Sequence, residues 1–438
     1  MKRTNRKRSR NIPDSRKLPL ETLAACVGLD WGDTRHAGAL LPAGSQQVET
    51  FDLEQTPEAL DQWAHQLRER FGGRPVAVCL EQSRGPLIYA LLRFDFLILC
   101  PINPKQLARY REALQPSGAK DDPGDAAVIL DFLVKHSDRV RVWKPDRADV
   151  RLIAQLCEAR RDLVDRQVAL SGAWKSHLKH FFPQAIALFG GELNTPLACA
   201  FLKKWPTLQR LQRARPQTIR RFFYAHNSRS ESRLQERLAL IAAAKPLCTD
   251  PTVVETHSRM AQALRAQLDS LRKPIAEMEQ RIEELLQGIE DAKLFQALPG
   301  AGAALAPRLL AAFGTDRERY ESADEIACYC GEAPVTQQSG KTMHNVRFRR
   351  ACPKFLRQTF HEFAWSSTKH CRWARAYYDM KKSQGKRHHA AVRALAIRWI
   401  RILFRCWKNH TTYDELSYLN ALQKQNSPCL NFLKPNPA

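Results

Sequence analysis

No apolar run in the chain approaches the roughly 20 residues that a membrane-spanning helix needs, so no transmembrane segment is expected. The N-terminus, MKRTNRKRSRNIPDSRK, is basic, but no apolar signal-peptide core follows it. Residues 1–20 read as a disordered arm that touches phosphate, or as a solvated tail without a role. The twelve cysteines include no CxxC pair, and the nearest two are Cys328 and Cys330. That argues against a zinc ribbon; with no signal core, it points to the reducing cytoplasm. Acid is scarce: 45 Asp and Glu face 69 Lys and Arg, for a formal charge of +24. Such a surplus suits no small neutral substrate and makes a strong field for polyanions. DNA or RNA is the leading partner, ahead of an anionic membrane surface.

The 438 residues suffice for two or three domains with real cores. LAACVGLDW (23–31) reads as a buried strand ending at Asp30. HAGALL and QVETFDL follow as strands around the turn PAGS. TPEALDQWAHQLRERFG is an amphipathic helix capped at Thr56, with Pro57 at its first position. PVAVCLEQ is a buried strand ending at Glu81, FLILCPIN is another, and GPLIYALLRF and PKQLARYREAL are helical. Residues 21–149 therefore form an α/β domain with a hairpin at one edge.

Strands stop near residue 150, and the rest reads as all-α. Residues 150–295 form a helical coiled-coil domain, which a long helix, 149–183, opens. They also hold a seam at Leu264, Leu268, Leu271, Ile275, Met278, Ile282, Leu285 and Ile289, whose steps alternate four and three as in a coiled coil. Pro274 lies inside the seam and predicts a kink or a helix restart. Residues 296–415 are mostly helical, and 416–438 read as a loose tail. Between Lys341 and Lys408 eighteen Lys and Arg are opposed only by Glu362 and Asp379. The interleaved aromatics are expected mainly in a helical core, whereas the charge density asks for a polyanion.

The acids that do occur are concentrated. SGAKDDPGDAAVIL (117–130) places Asp122 at a helix cap and Pro123 in its first turn, which leaves Asp125 unexplained. Asp122 and Asp125, three apart, share a helix face; Asp121 falls off that spacing. Asp30 and Glu81 end strands, where functional groups of parallel-type sheets collect. Each has an ordinary reading, as a strand end or a cap. Together they make an oxygen-ligand set for magnesium, with manganese as a substitute, acting on a phosphodiester. Asp33 and Asp95 are lesser competitors.

In this order and spacing the four carboxylates resemble the ribonuclease-H-like, RuvC-like nuclease fold with a DEDD metal site. In VGLDWG, Gly32 lets the chain leave the strand beside the ligands. LPGAGAALAPRLLAAFG (298–314) resembles a helix-hairpin-helix turn whose Gly300 and Gly302 bring backbone amides to a phosphate, though a plain connector reads equally well. YESADEIACYCGEAPVTQQSGKTMHNVRFRRACPKFLRQTFHEFAW, downstream of such a domain, resembles the insertion-sequence transposase family numbered one hundred and ten, over residues 23–415.

The resemblance implies a DNA recombinase with an N-terminal RuvC-like domain, a helical coiled-coil insertion and a C-terminal serine domain. The family's carboxylates match Asp30, Glu81, Asp122 and Asp125, and its serine matches Ser339 in QSGK. The family motif usually has threonine where this chain has Asp121. It implies a phosphoserine intermediate at Ser339, which conserves bond energy for rejoining. Lys341, Arg347, Arg349 and Arg350 are candidates to stabilise the phosphate, and Lys354 and Arg357 extend that nucleic-acid contact. It also implies composite sites in a homodimer or homotetramer on double-stranded donor and target DNA, guided by a bridge RNA from the element's own end. A DNA invertase of the same architecture, a RuvC-type nuclease without serine chemistry, and a non-catalytic nucleic-acid-binding scaffold are the competing readings.

Overall fold

Five strands form a mixed sheet: β1 (Ala25–Asp30), β2 (Arg35–Pro42), β3 (Glu49–Glu54), β4 (Val76–Leu80) and β5 (Leu97–Pro101). The strand order is β3-β2-β1-β4-β5. β2 is antiparallel to β1 and β3, while β1, β4 and β5 are parallel. The structure, a computed structural model, describes residues 16–81, 85–114, 122–339, 343–347 and 349–433; for 122, 336–339 and 343–347 it describes the backbone alone. Short turns let β1, β2 and β3 meander. The parallel strands need crossovers, supplied by α1 (Pro57–Arg70) before β4 and α2 (Pro86–Leu91) before β5. The Thr56 hydroxyl caps α1 by accepting from the Ala59 amide, with Pro57 in the first turn, as the sequence predicts.

Strand β4, VAVCL, is buried at every position because helices cover both faces of the sheet. On one face Val27, Leu29, Val78 and Leu80 meet Leu60, Trp63, Leu67 and Ile88 of α1 and α2. On the other, Ala77, Cys79 and Cys100 meet Leu107 of α3 (Pro104–Leu114) and Ile129, Phe132 and Leu133 of α4 (Asp122–Lys135). Part of the expected N-terminal arm belongs to this core. Leu18 packs with Val128 and Val140, and the Arg16 carbonyl accepts from the Val142 amide. An apolar residue at position 18 is better buried than free, which corrects the arm's expected end; residues 1–15 lie outside the described residues.

The chain divides into two compact units, Met1–Asp146 with Glu318–Glu321, and Arg147–Arg317 with Ser322–Ala438. The second unit begins with α5 (Ala148–Phe181). Five shorter helices follow: α6 (Gln184–Leu188), α7 (Pro196–Lys204), α8 (Leu208–Gln212), α9 (Pro216–Ala225) and α10 (Glu231–Ala243). They share a core around Phe201, Trp205, Phe222 and Phe223. Helix α11 (Pro251–Gln287) then runs back antiparallel to α5: Arg160 pairs with Glu279, and further along His177 Nδ1 lies 2.9 Å from His257 Nδ1. Leu264, Leu268, Ile275, Ile282 and Ile289 of the predicted seam are buried. The helix does not restart at Pro274. Proline in a helix interior costs about 3 kcal/mol, and the buried apolar stripe on both sides of it outweighs that.

Next come α12 (Ala292–Gln296), α13 (Gly302–Phe313) and α14 (Ala323–Tyr329), then a hairpin of β6 (Val335–Ser339) and β7 (Met343–Arg347). Helices α15 (Lys354–Ser367), α16 (Arg372–Ser383), α17 (His388–Lys408) and α18 (Glu415–Lys424) complete the unit. The aromatics interleaved with basic residues form its core. Trp373, Trp399 and Trp407 are fully buried, and each indole N–H is satisfied, donating to the Tyr413 hydroxyl (2.6 Å), the Ser367 hydroxyl (2.8 Å) and the Gly314 carbonyl (2.7 Å). The loose tail expected after residue 415 is corrected by α18 and a 3-10 turn, Pro428–Phe432, which docks Cys429 against Ala376 and Met380. A few apolar residues sufficed to fold that polar segment back. Among the described residues no helix is long and apolar enough to cross a membrane.

Candidate active site

Register brings the first two carboxylates together. The β1–β4 pairing ends at Leu29 opposite Leu80, so Asp30 and Glu81 follow side by side at the carboxyl ends of adjacent parallel strands. Side chains alternate between faces. Leu29 and Leu80 belong to the α1/α2 face, so Asp30 and Glu81 belong to the α4 face, with Gly28 and Cys79. Both acids are half-buried. Behind them the chain turns at Gly32, whose amide donates to Nδ1 of the buried His36 (3.1 Å), while His36 Nε2 bonds Gln55. Burial lowers the His36 pKa, its largest influence, and the Gln55 bond opposes it. The neutral ring thus acts as a fixed strut of the turn after Asp30, a role the sequence did not reveal.

Asp125 arrives at the same face by a different device. A side-chain carbon on Gly28 would clash with the Ala126 carbonyl oxygen and stand 2.5 Å from the Leu130 amide nitrogen. The absence of that carbon lets the backbone of α4 lie directly on β1. Asp125 precedes this contact and is 3 % exposed. A buried carboxylate needs a counter-charge, and Arg111 of α3 supplies one, with Nε 2.7 Å from Asp125 Oδ1. Sequence reasoning missed Arg111; that α3 and α4 adjoin in the chain was the available signal. The backbone of Asp122 opens α4, and its side chain lies outside the described residues. Among those residues no group of three His, Cys, Asp or Glu side chains is arranged to hold a metal ion. Of the competitors, Asp33 is exposed and Asp95 pairs with Arg68.

In the second unit, Gln338 and Ser339 of QSGK end strand β6, which pairs with β7 and which the mostly helical reading did not include. Ser339 is the last residue of β6, registered opposite Met343. Its side chain and that of Arg347 lie outside the described residues, as does Lys341 altogether. The described basic residues beside the hairpin divide in two. Arg350 and Lys354 are exposed. Arg349 donates from Nε to the Ala333 carbonyl (3.4 Å), and Arg357 donates to the Arg349 carbonyl (3.4 Å). These two half-buried arginines tie the strand's entry to α15.

Just before β6 lies a group that the sequence did not single out. Glu332, 3 % exposed, has neither carboxylate oxygen hydrogen-bonded. Burial pushes its pKa up to about 8, against the pull of Arg393 and Arg357. It is separated from β6 by only two residues.

The glycines of LPGAG have separate explanations. Gly300 takes a φ of +81°, and a Cβ there would stand 3.0 Å from Ser366 and His370 of the α15 end. The Ser366 hydroxyl donates to the Gly300 carbonyl (2.8 Å). Helix packing therefore already demands glycine at 300. Gly302 is exposed, with open space where its Cβ would be.

A mixed sheet with acids at its carboxyl rim, followed in the chain by a basic helical unit, defines a protein that acts on nucleic acid. Two family models sharpen that class to transposase. The DEDD transposase model named for IS110 matches residues 27–183, and the model "Transposase IS116/IS110/IS902 family" matches 292–379. The chain belongs to the IS110 family of insertion-element transposases. It is 26 % identical over 401 residues to the "Mini-circle putative transposase for IS117" of Streptomyces coelicolor, covering 90 % of this chain and 96 % of that protein. It is 25 % identical over 395 residues to the 43.6 kDa protein of insertion element IS110 from the same organism, with the same coverages. Over 150 residues it is 33 % identical to the 42 kDa protein of IS900 from Mycobacterium paratuberculosis, covering 34 % of this chain and 38 % of that one.

Proposed function

We propose that this transposase is a metal-dependent DNA recombinase in which a ribonuclease-H-like, RuvC-like acidic site and Ser339 act on the same phosphodiester. The observation that carries the reading is the register that sets Asp30 beside Glu81 on the face that receives α4 and Asp125. The strand order, with one antiparallel strand beside three parallel ones, supports the ribonuclease-H-like assignment.

Asp30, Glu81, Asp122 and Asp125 would hold a divalent cation. The donor set is oxygen only, which fits magnesium, with manganese as a substitute. Bound there, the ion would neutralise charge on the phosphate and ease deprotonation of a hydroxyl. The chain's own residues do the rest. The Ser339 hydroxyl forms a bond to phosphorus, one sugar oxygen leaves, and that oxygen takes up the proton the serine releases. The reverse exchange with another sugar hydroxyl rejoins strands and needs no nucleotide. Arg350 and Lys354, exposed beside the hairpin, supply positive charge to the bound backbone, with Lys341 and Arg347 as further candidates; Arg349 and Arg357 hold the hairpin's entry. Gly302, exposed at the start of α13, remains the better of the two glycine candidates for a phosphate.

A guide RNA from the element, a dimer or tetramer sharing composite sites, and a cytoplasmic location complete the proposal. They rest on the family resemblance and on the charge of +24. The test is Asp125→Asn: DNA cleavage with magnesium is expected to fall at least 100-fold while DNA binding stays within about threefold. Cleavage at the wild-type rate would remove Asp125 from the site.

A further inference from the structure

The segment between the two family-model matches, residues 184–291, is described by neither. It contains helices α6–α10, and the charge of the stretch around α7–α10 is more lopsided than that of the chain as a whole. From Lys203 to Arg233 there are nine Lys and Arg and one acid, Glu231. That acid is already engaged. Its carboxylate lies 2.8 Å from Arg220 and accepts from Gln235 (2.8 Å) and the Tyr224 hydroxyl (3.3 Å). Arg210, Arg213, Arg215, Arg221, Arg229 and Arg233 are exposed, and none has an ion pair among the described residues.

The core fixes where these cations point. Helix α9 buries Ile219, Phe222 and Phe223, so Arg221 stands on its opposite face. Arg213 and Arg215 precede its first turn, and Arg229 follows its last. A ten-residue helix rises about 15 Å, so guanidiniums at its two ends are spaced comparably to phosphate rows bordering a groove of B-DNA, whose major groove is about 12 Å wide. Guanidinium groups pair with phosphate in a planar, bidentate way. Tyr224 is the large exposed aromatic of α9. One ring makes no platform for stacking successive unpaired bases; the surface fits a paired duplex.

We infer that the α7–α10 module is a docking surface for the sugar-phosphate backbone of duplex DNA, built from residues other than those of the acidic rim and of the hairpin that carries Ser339. It holds DNA without reading its sequence, because it offers charge and not a set of base-edge contacts. The choice of DNA rests on the reading of the chain as a DNA recombinase; the phosphate chemistry does not.

The test uses the full chain and a 30-base-pair duplex of mixed sequence, with binding followed by fluorescence anisotropy from 50 to 200 mM salt. The fourfold variant Arg213→Ala, Arg215→Ala, Arg221→Ala and Arg229→Ala removes only exposed side chains. Each lost phosphate contact lowers the slope of log K against log salt by about 0.9, so a drop of about 3 to 4 is expected. The four corresponding Arg→Lys changes are expected to keep the wild-type slope. An unchanged slope in the alanine variant, or a slope lost equally in the lysine variant, would overturn the inference. So would a loss seen with an RNA duplex of the same sequence and not with DNA. Wild-type cleavage is assayed alongside. If the wild type binds but does not cut DNA and the alanine variant still loses the slope, the recombinase reading fails while the surface stands.

Discussion

A side-chain carbon on Gly28 would collide with the carbonyl oxygen of Ala126. The seating of α4 on β1, and with it the approach of Asp125 to the rim that holds Asp30, depends on that missing carbon. Because the opposing atoms are backbone, the helix itself must move to admit a methyl group. Gly28→Ala is expected to cost about 1–3 kcal/mol of stability, the range for overpacked cores. It should also reduce cleavage by more than the loss of folded protein explains. Thermal melts together with cleavage rates per folded molecule check this; a variant that is destabilised but fully active would separate the helix seating from the site.

The alternation rule made much of the first unit legible. Apolar runs bounded by turn signals gave four of the strands, the half-polar QVETFDL gave β3, and Thr56–Pro57 gave the start of α1. What stayed hidden was tertiary. Nothing local says that Gly28, a glycine inside a strand, marks a helix crossing, or that Arg111 will neutralise Asp125. The β6–β7 hairpin escaped because VTQQS and MHNVR carry little apolar alternation and lie in a helical neighbourhood. The terminal segment looked loose because its polar composition conceals the few contacts, Cys429 above all, that fold it back. At Pro274 the restart that local propensity allows does not occur, because a long packed stripe continues on both sides.

Glu332 should make stability depend on pH in an unusual direction. The folded chain holds its proton up to about pH 8, whereas an ordinary glutamate releases it near 4.5. Between those values ionisation favours the unfolded state, so this residue lowers stability as pH rises from about 4.5 to about 8, with no further change above. Glu332→Gln removes the titration. At pH 9 the variant is expected to exceed the wild type by about 1–3 kcal/mol, with the difference shrinking toward pH 5. Paired denaturation curves across pH 5–9 check it; a constant difference would mean that Glu332 is ionised throughout.

Arg349 and Arg350 are neighbours with different duties. Arg350 is exposed, while Arg349 donates to the Ala333 carbonyl. Arg350→Ala is expected to lower the salt slope of DNA binding by about 0.9 with little change in stability. Arg349→Ala is expected to cost about 1 kcal/mol through the lost hydrogen bond. Its salt slope should stay within error of the wild type. Salt titrations and melts on the two single variants distinguish them, and the opposite pattern would reverse the assignment.

We propose that the acidic rim and Ser339 work on one phosphodiester. The most direct measurement is to incubate the chain with its element DNA, its RNA and magnesium, denature, and map any covalent protein–DNA adduct by mass spectrometry. An adduct on Ser339 that disappears in Asp125→Asn and in Ser339→Ala is expected. DNA cut with free ends, no adduct, and full cutting by Ser339→Ala would contradict it, leaving a nuclease that uses water and a serine that only ends a strand.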